Sequence, residues 1–199
     1  MTAFTLVTPP SLEPVTLDEA KAQARVEASA DDTLITALIV AARQWAERYT
    51  GRAFITQGWQ LALDGHELTE QFVALPRPPL ITVTGVQVFD DTDTGVAWAA
   101  GNYFVDAAHE PARLALRSGS TWPVPARMNN GIVISYNAGY GASGAAVPEA
   151  IKLAIKQLAA HWYEHRGEAV VVSTRGAATH VPLVIQALLD PYRVQRLRV

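Results

Sequence analysis

Residues 45–64 read WAERYTGRAFITQGWQLALD, and the repeat that organises the chain changes inside them. Up to Tyr49 the apolar positions are Leu34, Ile35, Leu38, Ile39, Ala42, Trp45, Ala46 and Tyr49, the 3.6-residue spacing of one helical face over four turns. Gly51 follows Thr50 where a helix ends with a left-handed residue. Beyond it the period falls to two: Trp59, Leu61 and Leu63 point one way, and Gln60, Ala62 and Asp64 the other. A helical segment hands over to a β segment within twenty residues.

Toward the N-terminus, Asp31 or Asp32 caps this helix. A shorter, Ala-rich helix precedes it, opened by Thr16 with Glu19 in the reciprocal position of a capping box. Residues 1–15 read as extended, because Pro9, Pro10 and Pro14 forbid helix. Toward the C-terminus, LPRPPL (75–80) is a rigid connector. LITVTGVQVF (80–89) is a strand whose apolar parity shifts across Gly85, which predicts a bulge there. YFVD, RLALR and GIVISYNAGY give three more short strands, and DDTDTG (90–95) is turn chemistry. GYGASGAA is a joint. Pro148 at the first helical position then opens a third helix with Ile151, Ala154, Ile155, Leu158, Ala159 and Trp162 on one stripe and Lys152, Lys156 and Gln157 on the other side. AVVV (169–172) is a strand or a packed loop, and VPLVIQALLD (181–190) is a short fourth helix. The expected fold is α+β: a small bundle of about four helices, residues 1–52 and 147–199, carrying an antiparallel sandwich- or barrel-like β insertion at 53–146.

Composition narrows the chemistry. Without cysteine there are no disulfides and no thiolate metal sites. A net charge of −3 with 18% charged residues is not that of a domain that grips nucleic acid by bulk charge. The opening MTAFTLVTPPSLEP lacks the basic and apolar regions of a signal peptide, and no stretch approaches the ~20 apolar residues of a membrane span. The expectation is a protein made and used without export or membrane insertion.

Several motifs offer chemistry. HWYEHRG (161–167) places His161 and His165 on one helical face with Glu164 between them, the order of a zinc hydrolase. A catalytic zinc needs a third protein ligand, and downstream only Glu168 and Asp190 carry carboxylates; a packed helix end is the simpler reading. Gly139, Gly141 and Gly144 spell G-x-G-x-x-G, but after a strand of an antiparallel block and with Val147 and Pro148 before the helix, so they read as a hinge. His66, His109 and His180 fall in turns or loops, and no G-x-S-x-G elbow is present. Trp98 and Trp122 would mark a ligand-binding β module if exposed, or cover the β block's own core. The end of the chain alternates apolar and basic residues: Tyr192, Arg193, Val194, Arg196, Leu197, Arg198 and Val199 form a segment too short for its own core, with three arginines and no acid. That is the pattern of a frayed, solvated chain end or of an arm that docks on another subunit by strand addition or arginine pairing.

The string LVTPPSLEPVTLDEAKAQARVEASADDTLITALIVAARQWAERYTGRAFITQGWQLALD, followed in order by LPRPPLITVTGVQVFD, YFVD, AGYG and VPEAIKLAIKQLAAHWYEHR, resembles the head–tail connector (adaptor) proteins of tailed bacteriophages, including those of phage-derived gene transfer agents. The resemblance covers nearly the whole chain and is weakest after Arg166. It implies a helical core with a β insertion, assembled as a homo-oligomeric ring, commonly twelvefold, at the head–tail junction of the particle. It also implies a portal protein above the ring, a stopper or tail protein below it, and DNA passing through without sequence-specific contacts. Assembly would take place in the bacterial cytoplasm. The segment DPYRVQRLRV would be the portal-docking arm. The family implies no catalytic residue, cofactor or metal.

Overall fold

The computed structural model describes residues 3–65, 68, 71–166 and 181–194. The chain forms two compact units: Met1–Ser11 with Gly51–Ala142, and Leu12–Thr50 with Ser143–Val199.

The first unit is built of two antiparallel sheets. The larger has the order β1-β2-β8-β4-β5, with β1 at Ala3–Thr8, β2 at Gln57–Leu63, β4 at Leu80–Phe89, β5 at Gly95–Ala97 and β8 at Ile132–Ala138. The smaller has the order β3-β7-β6, with β3 at Phe72–Ala74, β6 at Tyr103–Asp106 and β7 at Arg113–Leu116. β2 alternates buried and half-buried residues as its period of two requires, so Trp59, Leu61 and Leu63 enter the core beside Ile132, Ile134 and Tyr136 of β8. From the smaller sheet, Leu114 and Tyr103 join the same core. Burial pushes the Tyr136 phenol well above its ordinary pKa, and its hydroxyl donates to the Pro76 carbonyl at 2.9 Å. The β4–β8 register slips between Val83 and Gly85, the bulge that the parity change at Gly85 predicts, and slips again between Leu80 and Thr82. The order leaves both sheets with open edges, so the block is a pair of sheets and not a closed barrel.

The sequence reading differs from this unit in three places. Residues 3–8, grouped with the helices, form a strand paired with β2. β5 lies where the turn chemistry of 90–95 ends, and β3 is three residues long; segments that short show no period to read.

The second unit holds α1 (Leu17–Ala24), α2 (Asp32–Thr50), α3 (Glu149–Glu164) and α4 (Leu183–Leu189). Thr16 caps α1 in a complete capping box: the Glu19 N–H donates to Thr16 Oγ1 at 3.2 Å, and the Thr16 N–H donates to Glu19 Oε2 at 2.8 Å. Arg25, with φ 56°, ends the helix in the left-handed region. Gly51, φ 76°, does the same after α2, as its position predicts. Pro148, expected at the first helical position, stands one residue earlier, at the N-cap of α3, and Pro182 caps α4. α3 packs against α1, α2 and α4.

The face that α2 buries is rotated from the expected one. Ile35, Ile39, Ala42 and Ala46 are buried, but so are Arg43, Glu47 and Thr50, while Leu34 is exposed. The buried cation is balanced inside the unit: Arg43 Nε donates to Glu13 Oε2 at 2.7 Å and its Nη1 to Glu47 Oε2 at 2.8 Å. Burial works against the Arg43 charge, but the two carboxylates more than offset it and hold the guanidinium above its ordinary pKa. Lys152 of α3, assigned from the sequence to the polar side, is also buried, its ammonium 2.5 Å from Glu149. Asp31 and Asp32, the expected caps of α2, carry tertiary contacts: Asp31 accepts from the Tyr163 hydroxyl at 2.5 Å, and Asp32 from Lys21 at 2.6 Å.

Candidate docking site

The arm leaves the helical unit beside the C-terminus of α2. A single turn, Asp190–Tyr192, follows α4, and the Arg193 N–H donates to the Asp190 carbonyl at 3.1 Å. The next residue makes the decisive contact: the Val194 N–H donates to the Thr50 carbonyl at 2.8 Å. Thr50 is the last residue of α2, where helix carbonyls lack partners within the helix, so the departing chain satisfies one of them. Tyr49 holds the turn from the other side, its hydroxyl donating to Asp190 Oδ1 at 2.6 Å. That hydrogen bond raises the Tyr49 pKa. Trp45 stacks on Tyr49 at 5.0 Å between ring centroids, and the Arg193 guanidinium lies over the Tyr49 ring at 5.0 Å, with Asp190 3.8 Å from it. A cation here also favours the negative end of α2.

Tyr192, Arg193 and Val194 are thus the root of the arm. Arg193 makes contacts within the chain, with Asp190 and over the Tyr49 ring. Arg196, Leu197, Arg198 and Val199 lie outside the described residues, as does AVVV at 169–172. Sequence reasoning missed the receiving half of the root, Tyr49 and Asp190, because more than a hundred residues separate them in the chain.

The other candidate chemistries resolve into packing. The rings of His161 and His165 share a face, with centroids 4.3 Å apart, but His165 Nδ1 lies 2.7 Å from the His161 carbonyl and donates to it, so that nitrogen serves the end of α3. Among the described residues no three His, Cys, Asp or Glu side chains come together to hold a metal. Gly139, with φ 138°, packs directly on backbone: a Cβ there would lie 2.6 Å from the Ile55 carbonyl. The Tyr140 N–H donates to the Phe54 carbonyl and the Thr56 N–H to the Gly141 carbonyl, so these glycines let two backbone segments approach and leave no phosphate cradle. Trp98 and Trp122 are half-buried, meet with tilted rings at 5.5 Å and pack against the core of the β unit. A groove of about 640 Å³ in the helical unit is walled by Leu12, Val15 and Ile39 together with Glu13, Glu19 and Lys152. Those three charged groups are already engaged with Arg43, Thr16 and Glu149 respectively. Among the described residues no helix is long and apolar enough to cross a membrane.

The chain belongs to the head completion protein family, a family of phage head–tail connectors, whose model matches residues 13–195. Three solved structures are similar over nearly all of it. A chain in the neck of an empty gene transfer agent (GTA) particle, computed with C6 symmetry, matches with a TM-score of 0.78 at 25% identity over 98% of this chain and 97% of that one. A chain in the virion of a native GTA particle matches with a TM-score of 0.78 at 25% identity over 98% and 96%. A chain in the neck of a native GTA particle, computed with C12 symmetry, matches with a TM-score of 0.70 at 26% identity over 97% of each. A comparison with curated protein sequences returns no match.

Proposed function

We propose that the chain is the repeated subunit of a ring at the head–tail junction of a phage or phage-like particle. In that reading it sits between the portal protein and the stopper or tail component and extends the DNA channel. The observation that carries it is the match over nearly the full chain to proteins in GTA particle necks that obey sixfold and twelvefold symmetry. A ring needs each copy to use two different faces. The mild net acidity, −3, suits a conduit, because a strongly basic lumen would hold DNA electrostatically.

The C-terminal arm is the portal contact. Arg196 and Arg198 pair with acidic groups of the portal, Leu197 and Val199 fill apolar pockets, and the root at Tyr192–Val194 sets where the arm departs. Repetition around the ring multiplies a modest affinity per arm into a lasting joint. The test is a chain truncated after Val194, which keeps every contact of the root. Mixed with portal protein and imaged by electron microscopy, it should stay folded and fail to decorate portals. Decoration at the level of the full chain would refute the docking role of the arm.

A further inference from the structure

The larger sheet of the β unit has two open edges, and they differ in a way that suits them to each other. We propose, resting on the ring reading above, that neighbouring copies join through these edges, the β1 edge of one copy meeting β5 and the β4–β5 turn of the next.

Among the described residues no strand pairs with the outer side of β1. All six of its residues, AFTLVT, are exposed, with Phe4 at 43%, Leu6 at 41% and Val7 at 54%. Natural edge strands are usually blunted by lysine, proline or a covering segment, because unpaired backbone groups recruit other strands. β1 carries no charge and no proline. Behind it stands a cluster of the kind that dominates interface energies. Trp59 lies opposite Leu6, its ring 5.7 Å from Phe4, and the Arg77 guanidinium covers both rings at 5.4 Å and 5.6 Å. Trp59 is only 9% exposed, yet its indole N–H meets no acceptor among the described residues. That nitrogen is itself enclosed, so what the edge presents is apolar side chains with a cation behind them.

The opposite edge presents the complement. β5 is fully exposed, with Val96 at 61%. The turn before it, residues 90–94, is acidic. Asp90 is occupied by the turn itself, accepting from the Thr92 and Thr94 N–H groups. Asp91 is exposed, and Asp93, with Arg127 at 3.2 Å, keeps 78% of its side chain in solvent. Carboxylates beside an exposed valine on one edge thus match a guanidinium beside exposed Phe4 and Leu6 on the other. A contact between unlike edges is the heterologous kind that closes rings. The strand directions agree with it: every neighbouring pair in the five-stranded order is antiparallel, so β1 and β5 run the same way. Copies related by rotation would then bring β1 alongside the next β5 in parallel, and closure would leave neither edge open.

The absence of cysteine gives a clean test. Thr5→Cys and Val96→Cys, both at exposed positions, are made as separate variants, checked by thermal melting and mixed in the presence of portal protein. Rings are scored by electron microscopy, and a short bis-maleimide is added. The expected result is a covalent dimer in the mixture and none with either variant alone. Rings without that dimer, or a dimer from Thr5→Cys alone, overturn the edge contact and leave the ring reading standing. No ring and no dimer overturns the ring reading and the contact with it.

Discussion

Arg43→Met removes the guanidinium that pairs with Glu13 and Glu47 at the buried face of α2. The Arg43 side chain is 7% exposed and that of Glu47 10%, while Glu13 retains 23%. Loss of the cation takes from Glu47, in low dielectric, a guanidinium 2.8 Å away, and breaking a buried pair in this way costs about 3–5 kcal/mol. Glu13, better hydrated, contributes the smaller share. At a urea dependence of roughly 2 kcal/mol per molar, the midpoint of the helical unit should fall by about 1.5–2.5 M. The reasoning has an internal control. Arg43→Met combined with Glu47→Leu removes the stranded charge and replaces it with apolar volume, and should recover most of the loss. Urea titrations followed by circular dichroism at 222 nm measure both variants. A single variant within about 1 kcal/mol of the parent chain would refute the assignment of the Arg43 pair as buried and mutually dependent.

The capping box of α1 ties stability to pH. The Thr16 backbone N–H lowers the Glu19 pKa below its ordinary value near 4.5, so the stabilisation is present above that value and is lost as the pH falls through the lower folded value. Glu19→Gln should flatten the acid limb of a stability profile measured between about pH 6 and pH 3. Thr16→Ala should lower stability by about 1 kcal/mol at pH 7, read from the same denaturant titrations. Gly139→Ala forces a side chain into a left-handed position against the Ile55 carbonyl and should cost more than the roughly 1–3 kcal/mol of backbone strain alone, seen as a lower melting temperature of the β unit. Tyr49→Phe deletes the hydrogen bond to Asp190, worth about 1 kcal/mol, and should speed hydrogen exchange at the Val194 amide with little effect on amides of α3.

Much of the frame is legible in the sequence because local rules agree with tertiary ones there. The Thr16/Glu19 box, Gly51, the alternation of β2 and the slip at Gly85 each follow from a rule that acts within a few residues. What was not legible depends on partners far away in the chain. Arg43 and Lys152 look like solvent-facing residues until Glu13, Glu47 and Glu149 are placed beside them. Residues 3–8 read only as extended, since a strand that is exposed on both faces has no apolar alternation to betray its pairing. The C-terminal segment shows the same division. Its basic and apolar pattern is visible at 192–199, but its foothold on Tyr49, Thr50 and Asp190 exists only once α2 and α4 are folded.

The connector role is tested most directly by making particles that lack this chain and imaging them by electron microscopy. Heads packed with DNA should accumulate beside free tails, and supplying the full chain should restore tailed particles whereas supplying residues 1–194 should not. Normal yields of tailed particles without the chain would contradict its place at the junction.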